Sequence, residues 1–106
     1  MSASENWVTV AKSGAVEPGS VVGVKAGDLD LALYNIDGQI YATHNVCTHA
    51  HAHLSDGWLE GDIIECPLHG GRFEVKTGKG FGAPITCDLK TFPVRIESGD
   101  IQVNVD

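Results

Sequence analysis

The sequence predicts an all-β fold, an antiparallel sandwich or small barrel, on three observations. Thirteen glycines and four prolines punctuate the 106 residues, and no window sustains a helical period. LDLALYNI and QIYAT flank Asp37-Gly38, a pair suited to a two-residue hairpin turn in which both residues take positive φ. FPVRIESGDIQVNVD repeats that pattern around Ser98-Gly99.

Taken in order, the first strand falls at WVTV (7–10) and the second at SVVGV (20–24). In LDLAL (29–33), Leu29, Leu31 and Leu33 alternate onto one face, and the strand runs on to the Asp37-Gly38 turn. DIIEC (62–66) and RFEV (72–75) add two more. In the closing hairpin a two-residue turn pairs Ile96 with Ile101 and Val94 with Val103. It also sets Glu97 against Asp100, a like-charge pair that argues for a longer turn.

The bulk properties narrow the function. The length and 42% hydrophobic content suit one packed domain, residues 1–106. No run of about 18 apolar residues is present, so no helix is expected to span a membrane. MSASENWVTV lacks the features of a secretory signal, which leads to the expectation of a cytoplasmic protein. A net charge of −7 argues against nucleic acid and is compatible with steering toward a basic protein partner. Three cysteines, an odd number, do not form a disulfide framework.

The middle of the chain differs from its ends. Between about residues 44 and 84 lie all five histidines, two of the three cysteines and seven of the glycines. This reads as an elaborated loop region on a β scaffold, with a small lobe over about residues 44–82. In CTHAHAH (47–53), Cys47, His49, His51 and His53 occupy every second position. A second group, CPLH, offers Cys66 and His69. The two segments, C-x-H and C-x-x-H, each supply one thiolate and one imidazole. Four ligands of this kind suit a closed zinc site or an iron–sulfur cluster. A common zinc finger keeps its cysteines in one segment and its histidines in another, whereas here both segments are mixed. A [2Fe–2S] cluster with Cys₂ on one iron and His₂ on the other has a use for mixed segments, since each loop then reaches across both irons.

CTHAHAHLSDGWLEGDIIECPLHGGRFEVKTGK resembles the cluster-binding region of Rieske ferredoxins. More narrowly, it resembles the small ferredoxins of bacterial aromatic-ring-hydroxylating dioxygenase systems. The likeness extends over nearly the whole chain, through the LALYNIDGQIYAT hairpin, the Thr77-Gly78-Lys79 turn, Pro84 and the closing hairpin. It implies the Rieske fold, a β-sandwich base with a cluster-binding lobe. It also implies one [2Fe–2S] cluster, with Cys47 and Cys66 on the buried iron and His49 and His69 on the iron nearer the surface. His51, His53 and His44 are then loop or surface residues, since the cluster needs only two imidazoles. Cys87 is expected to be a partly buried thiol. Gly57, Gly61, Gly70 and Gly71 are expected at turns with positive φ, and Gly70 and Gly71 also to admit backbone N–H groups to the cluster sulfurs. Pro67 and Leu68 are expected to shield the cluster or to form an apolar docking tip.

Departures from other branches of that family are informative. Respiratory Rieske proteins brace the loops with a disulfide at positions that are Ala52 and Leu68 here, so no such bridge forms. They also carry serine and tyrosine hydroxyls where this chain has Gly71 and Phe73. Without those donors the reduced state is less favoured, which points to the low end of the Rieske range of about −150 to +300 mV.

The resemblance implies a monomeric one-electron carrier between an NADH-dependent flavin reductase and a terminal oxygenase. It is not expected to be an enzyme. An oxygenase also needs a mononuclear iron on two histidines and a carboxylate, and the three remaining histidines crowd the cluster loops. Two other readings compete: a Rieske subunit of another oxidoreductase such as a nitrite reductase, and a zinc-stabilised binding module.

Overall fold

A computed structural model describes residues 6–46, 52–68, 71–81 and 88–105. It contains eleven strands among those residues: β1 (Trp7–Lys12), β2 (Val21–Ala26), β3 (Leu29–Ile36), β4 (Gln39–His44), β5 (Trp58–Glu60), β6 (Ile63–Glu65), β7 (Arg72–Glu74), β8 (Gly80–Phe81), β9 (Thr91–Phe92), β10 (Val94–Glu97) and β11 (Asp100–Asn104). They form three antiparallel sheets, in the orders β1-β11-β10, β2-β3-β4-β9 and β5-β6-β7-β8. No helix among the described residues is long and apolar enough to cross a membrane.

The middle sheet carries a core on each face. Leu31 and Leu33 of β3 pack with Ala42, Phe92, Ile101 and Val103, toward the sheet that holds the chain's end. Their neighbours Ala32, Tyr34 and Ile36 point the other way, into a second core with Leu54, Ile64, Cys66, Phe73 and Val75. The leucine alternation thus holds, but the opposite face of β3 is buried as well. Alternation marks which residues share a face, and the apolar content of both sets fixes β3 as the central strand. Each large side chain buried in these cores contributes about 1.5–3 kcal/mol.

Both predicted hairpins form, and the closing one takes the predicted register. Asp37 (φ 55°) and Gly38 (φ 89°) turn β3 into β4, with Ile36 opposite Gln39. The Asn35 carboxamide oxygen accepts from the Gly38 N–H at 2.8 Å and its nitrogen donates to the Val16 carbonyl at 2.8 Å, tying the turn to the body. At the other hairpin Ser98 (φ 51°) and Gly99 (φ 81°) form a two-residue turn, with Ile96 opposite Ile101 and Val94 opposite Val103. Glu97 does face Asp100, so the longer turn is not needed. The Lys12 ammonium of β1 reaches the Asp100 carboxylate at 2.9 Å and offsets the like-charge contact. That cation is remote in sequence, which is why the local reading did not include it.

The third sheet spans residues 58–81 and rises from the second core. Its inward residues Leu59, Ile64 and Phe73 lie in register across β5, β6 and β7. β5, β8 and β9 have no counterpart in the sequence pattern. Each is only two or three residues long and lacks an apolar run of its own.

Candidate metal centre

The segment holding Cys47 and His49 leaves the scaffold at the end of β4 and returns before a 3-10 turn at Leu54–Asp56. An isolated antiparallel bridge between Val46 and His53 closes its base. Asn45, buried to 2% exposure, holds that base together. Its side-chain oxygen accepts from the Ser55 N–H at 2.8 Å, and its amide nitrogen donates to the Ser55 hydroxyl at 3.0 Å. Its backbone completes the clasp: the carbonyl accepts from Leu54 N–H at 2.7 Å, and its N–H donates to the Asp30 carbonyl at 2.8 Å. On β2, Gly23 leaves room for this contact, since a methyl group there would press on the Asn45 amide and the Ser55 hydroxyl. An asparagine between strand and loop looks like any turn residue in the sequence, so nothing there singled it out.

A polar contact fixes the returning arm to β3. His53 Nε2 lies 3.1 Å from Asp30 Oδ2, and the Lys25 ammonium lies 3.6 Å from the same oxygen. Desolvation alone would raise the Asp30 carboxyl, but the His53 hydrogen bond and the Lys25 charge outweigh it and hold it below its ordinary value. His44 sits at the end of β4, not in a loop, with its ring stacked on Phe92 at 5.2 Å.

The second segment is built differently. β6 and β7 pair from Ile63–Glu74 to Glu65–Arg72, and the ladder extends one step further because the Cys66 N–H donates to the Gly71 carbonyl at 2.8 Å. A four-residue excursion, 67–70, therefore leaves and re-enters at two adjacent backbone positions. Cys66 is fully buried among Ala52, Leu54, Ile64, Phe73, Val75 and Leu89. Ala52 and Leu54 belong to the returning arm of the first segment, so one core supports both loops.

The backbones meet as well. A β-carbon on Gly57 would overlap the Glu65 carbonyl oxygen, one residue before Cys66. Gly57 has φ −91°, so the expected positive φ is wrong at this position. Glycine is needed for close approach, not for handedness. Gly61, at φ 62°, does follow the expectation.

Of the four expected ligands the structure describes Cys66; Cys47, His49 and His69 lie outside the described residues, as do His51, Gly70, Pro84 and Cys87. Among the described residues no three histidine, cysteine or acidic side chains converge into a metal site. What is described fits a thiolate-held cluster: a sulfur donor at the end of a strand, shielded from water by apolar side chains on several sides. Gly71 is buried and Phe73 is fully buried in the same core as Cys66, so the positions that could carry hydroxyl donors present none. Ala52 is buried, whereas Leu68 is 47% exposed.

A three-layer β scaffold in which the described residues place a buried cysteine, Cys66, on the core that also takes Ala52 and Leu54 is the class of small β protein suited to carrying an inorganic cluster. Residues 6–93 match the Rieske [2Fe-2S] domain, and the chain belongs to that family; its cofactor is a [2Fe–2S] cluster. The chain is 48% identical over 103 residues to the ferredoxin component of the naphthalene 1,2-dioxygenase/salicylate 5-hydroxylase systems of Ralstonia sp., covering 97% of this chain and 99% of the relative. The Sphingomonas yanoikuyae B1 ferredoxin superposes with a TM-score of 0.90 at 39% identity, covering 95% of this chain and 100% of that one. A ferredoxin solved as a complex of reduced oxygenase and oxidized ferredoxin in carbazole 1,9a-dioxygenase matches with a TM-score of 0.86 at 41% identity, covering 92% of each chain.

Proposed function

We propose that this protein is the ferredoxin component of an aromatic-ring dioxygenase system, a one-electron carrier and not itself an enzyme. Its relatives carry that name across nearly their full length. The observation that carries the reading is the shared root of the two loops: Ala52, Leu54 and Cys66 enter one core, and Gly57 abuts Glu65. That root sets residues flanking the C-x-H segment, Ala52 and Leu54, on the same core as Cys66, which opens the C-x-x-H segment.

In this reading Cys47 and Cys66 hold one iron, and His49 and His69 hold the other. The cluster supplies reversible uptake and release of one electron. The protein does the rest. Ile64, Phe73 and Leu54 exclude water from the Cys66 sulfur. The Asn45–Ser55 clasp and the Cys66–Gly71 bond fix where each loop begins and ends, which limits reorganisation when charge changes. With two thiolates and two neutral imidazoles, the site goes from a net charge of zero to −1 on reduction, a small change for a chain that already carries −7.

The donor is a flavin reductase using NADH and the acceptor a terminal ring-hydroxylating oxygenase. Support for the acceptor comes from the ferredoxin–oxygenase complex described above. In this reading the protein works in the cytoplasm, where NADH is available to its reductase, as a single-domain monomer. The test is spectroscopic and kinetic. Purified protein should absorb in the visible, give on reduction the EPR signal of a histidine-ligated [2Fe–2S] cluster, and pass electrons from NADH through such a reductase to an oxygenase. Colourless protein with stoichiometric zinc refutes the reading.

A further inference from the structure

The outer face of the third sheet is built for contact. Trp58, Glu65 and Arg72 lie in register across β5, β6 and β7, and Glu60 and Ile63 form the next row. The row of Trp58 is the one nearest the loops, since Glu65 precedes Cys66 and Arg72 follows Gly71. Trp58 is 60% exposed, the most exposed of the large apolar side chains among the described residues. With Leu59, Glu60, Ile63, Glu65 and Arg72 it lines an open groove of about 540 Å³.

Two features indicate what this face awaits. The chain has two tryptophans, and the other, Trp7, is covered by the Arg95 guanidinium at 4.3 Å from its ring. No cation among the described residues covers Trp58. Glu60 and Glu65 also carry no ion pair among those residues, although Arg72 is the register neighbour of Glu65. A bare indole beside two uncompensated carboxylates is the complement of a guanidinium, which can stack on the ring and bind a carboxylate together.

We propose that the Trp58 face is a docking surface for a redox partner protein whose contact region is basic, with an arginine seated on Trp58 between Glu60 and Glu65. The proposal rests on the carrier reading. The chain's overall −7 charge supplies the long-range attraction, and Trp58 supplies the desolvated anchor. Because Glu65 and Arg72 flank the paired Cys66 and Gly71, a partner held here lies beside the stem of the second loop.

The experiment measures binding of the holoprotein to the purified reductase and oxygenase of the Ralstonia naphthalene system, by surface plasmon resonance at low and high salt. Trp58→Ala and Glu60→Lys/Glu65→Lys are compared with wild type, with Trp58→Phe as the conservative control. Each variant's visible spectrum and midpoint potential report on the cluster independently. The expected result is at least tenfold weaker binding to one partner for both variants, partial recovery in Trp58→Phe, a reduced salt dependence in the charge-reversed variant, and unchanged spectra and potentials. Wild-type affinity in both variants overturns the docking face and leaves the carrier reading intact. A wild-type protein that binds neither partner overturns the carrier reading and the docking face with it. A concentration-dependent dimer that Trp58→Ala dissolves overturns the choice of partner in favour of a second copy.

Discussion

Asn45 holds Ser55 at both its backbone and its hydroxyl, ten positions along the chain and across the segment that contains Cys47 and His49. The contact is part-buried and short, and it closes the base of the loop through protein groups alone. Asn45→Ala removes both side-chain bonds and leaves the Ser55 N–H without that acceptor, a loss of about 2 kcal/mol. Asn45→Asp keeps the acceptor but buries a charge and loses the donor, so it is no milder. Bleaching of the visible absorbance in urea checks this. Both variants should lose colour at lower urea than wild type, and their loop amides at 46–53 should exchange hydrogen faster.

Gly57 and Gly61 separate two reasons for glycine within five residues. Alanine at 57 collides with the Glu65 carbonyl and forces the loop roots apart, a cost of about 1–3 kcal/mol. Alanine at 61 meets open space and is strained only by its φ of 62°, a cost of about 1 kcal/mol. Asparagine, which tolerates left-handed backbone, should recover most of the stability at 61 and none at 57. Urea midpoints of the four variants decide it.

The Asp30 carboxylate is held below its ordinary value by His53 and Lys25 against the opposing effect of burial. A depressed folded-state value means that its stabilisation is present above the unfolded value of about 3.9 and is lost as pH falls through the folded value. Asp30→Asn should therefore be less resistant to urea than wild type at pH 6. The difference should shrink as pH drops below about 4, where wild type has lost the same contribution. A gap that persists unchanged to pH 3 would mean that the carboxylate charge is not its source.

Histidine variants test the ligand assignment. His49→Ala and His69→Ala should lose the cluster or alter its EPR signal, whereas His51→Ala should retain both. His53→Ala should keep the cluster too, because its ring is engaged with Asp30, but should lower resistance to urea. Iron content per chain and the EPR spectrum of each reduced variant are the measurements. Cluster loss in His51→Ala would move the ligand from 49 to 51.

The strands whose residues carry their own instructions were legible from the sequence. Asp37-Gly38 and Ser98-Gly99 specify turns by local backbone preference, and the registers of both hairpins follow. What could not be read depends on residues far apart in the chain. The charge on Asp100 is balanced by Lys12, 88 positions away, and Gly57 is small because Glu65 folds back on it. The second buried face of β3 is set by a sheet that follows it in sequence. The family and its [2Fe–2S] cofactor were legible because the ligand chemistry is written in two short segments. The support of the site was not, since Asn45, Ser55, Gly23 and Asp30 come from four separate elements and each looks ordinary alone.

Phe73 offers a direct test of how the surroundings set the potential. It is fully buried in the core that holds Cys66, and neither it nor Gly71 offers a hydroxyl there. Phe73→Tyr adds one O–H to that core. Inside an apolar surround the hydroxyl must find an acceptor, and sulfur of the cluster site is the acceptor that gains negative charge on reduction. A bond that strengthens in the reduced state stabilises it, so the midpoint potential should rise. A hydrogen bond to a charged group contributes about 1.5 kcal/mol, which for a one-electron couple corresponds to about 60 mV. Voltammetry of the variant should show an upward shift of that order with the visible spectrum retained. In the proposed carrier role, electron uptake should become more favourable and release to the oxygenase less so, and steady-state reduction of the ferredoxin pool should rise accordingly. An unchanged potential would show that the Phe73 ring edge does not face the sulfur atoms.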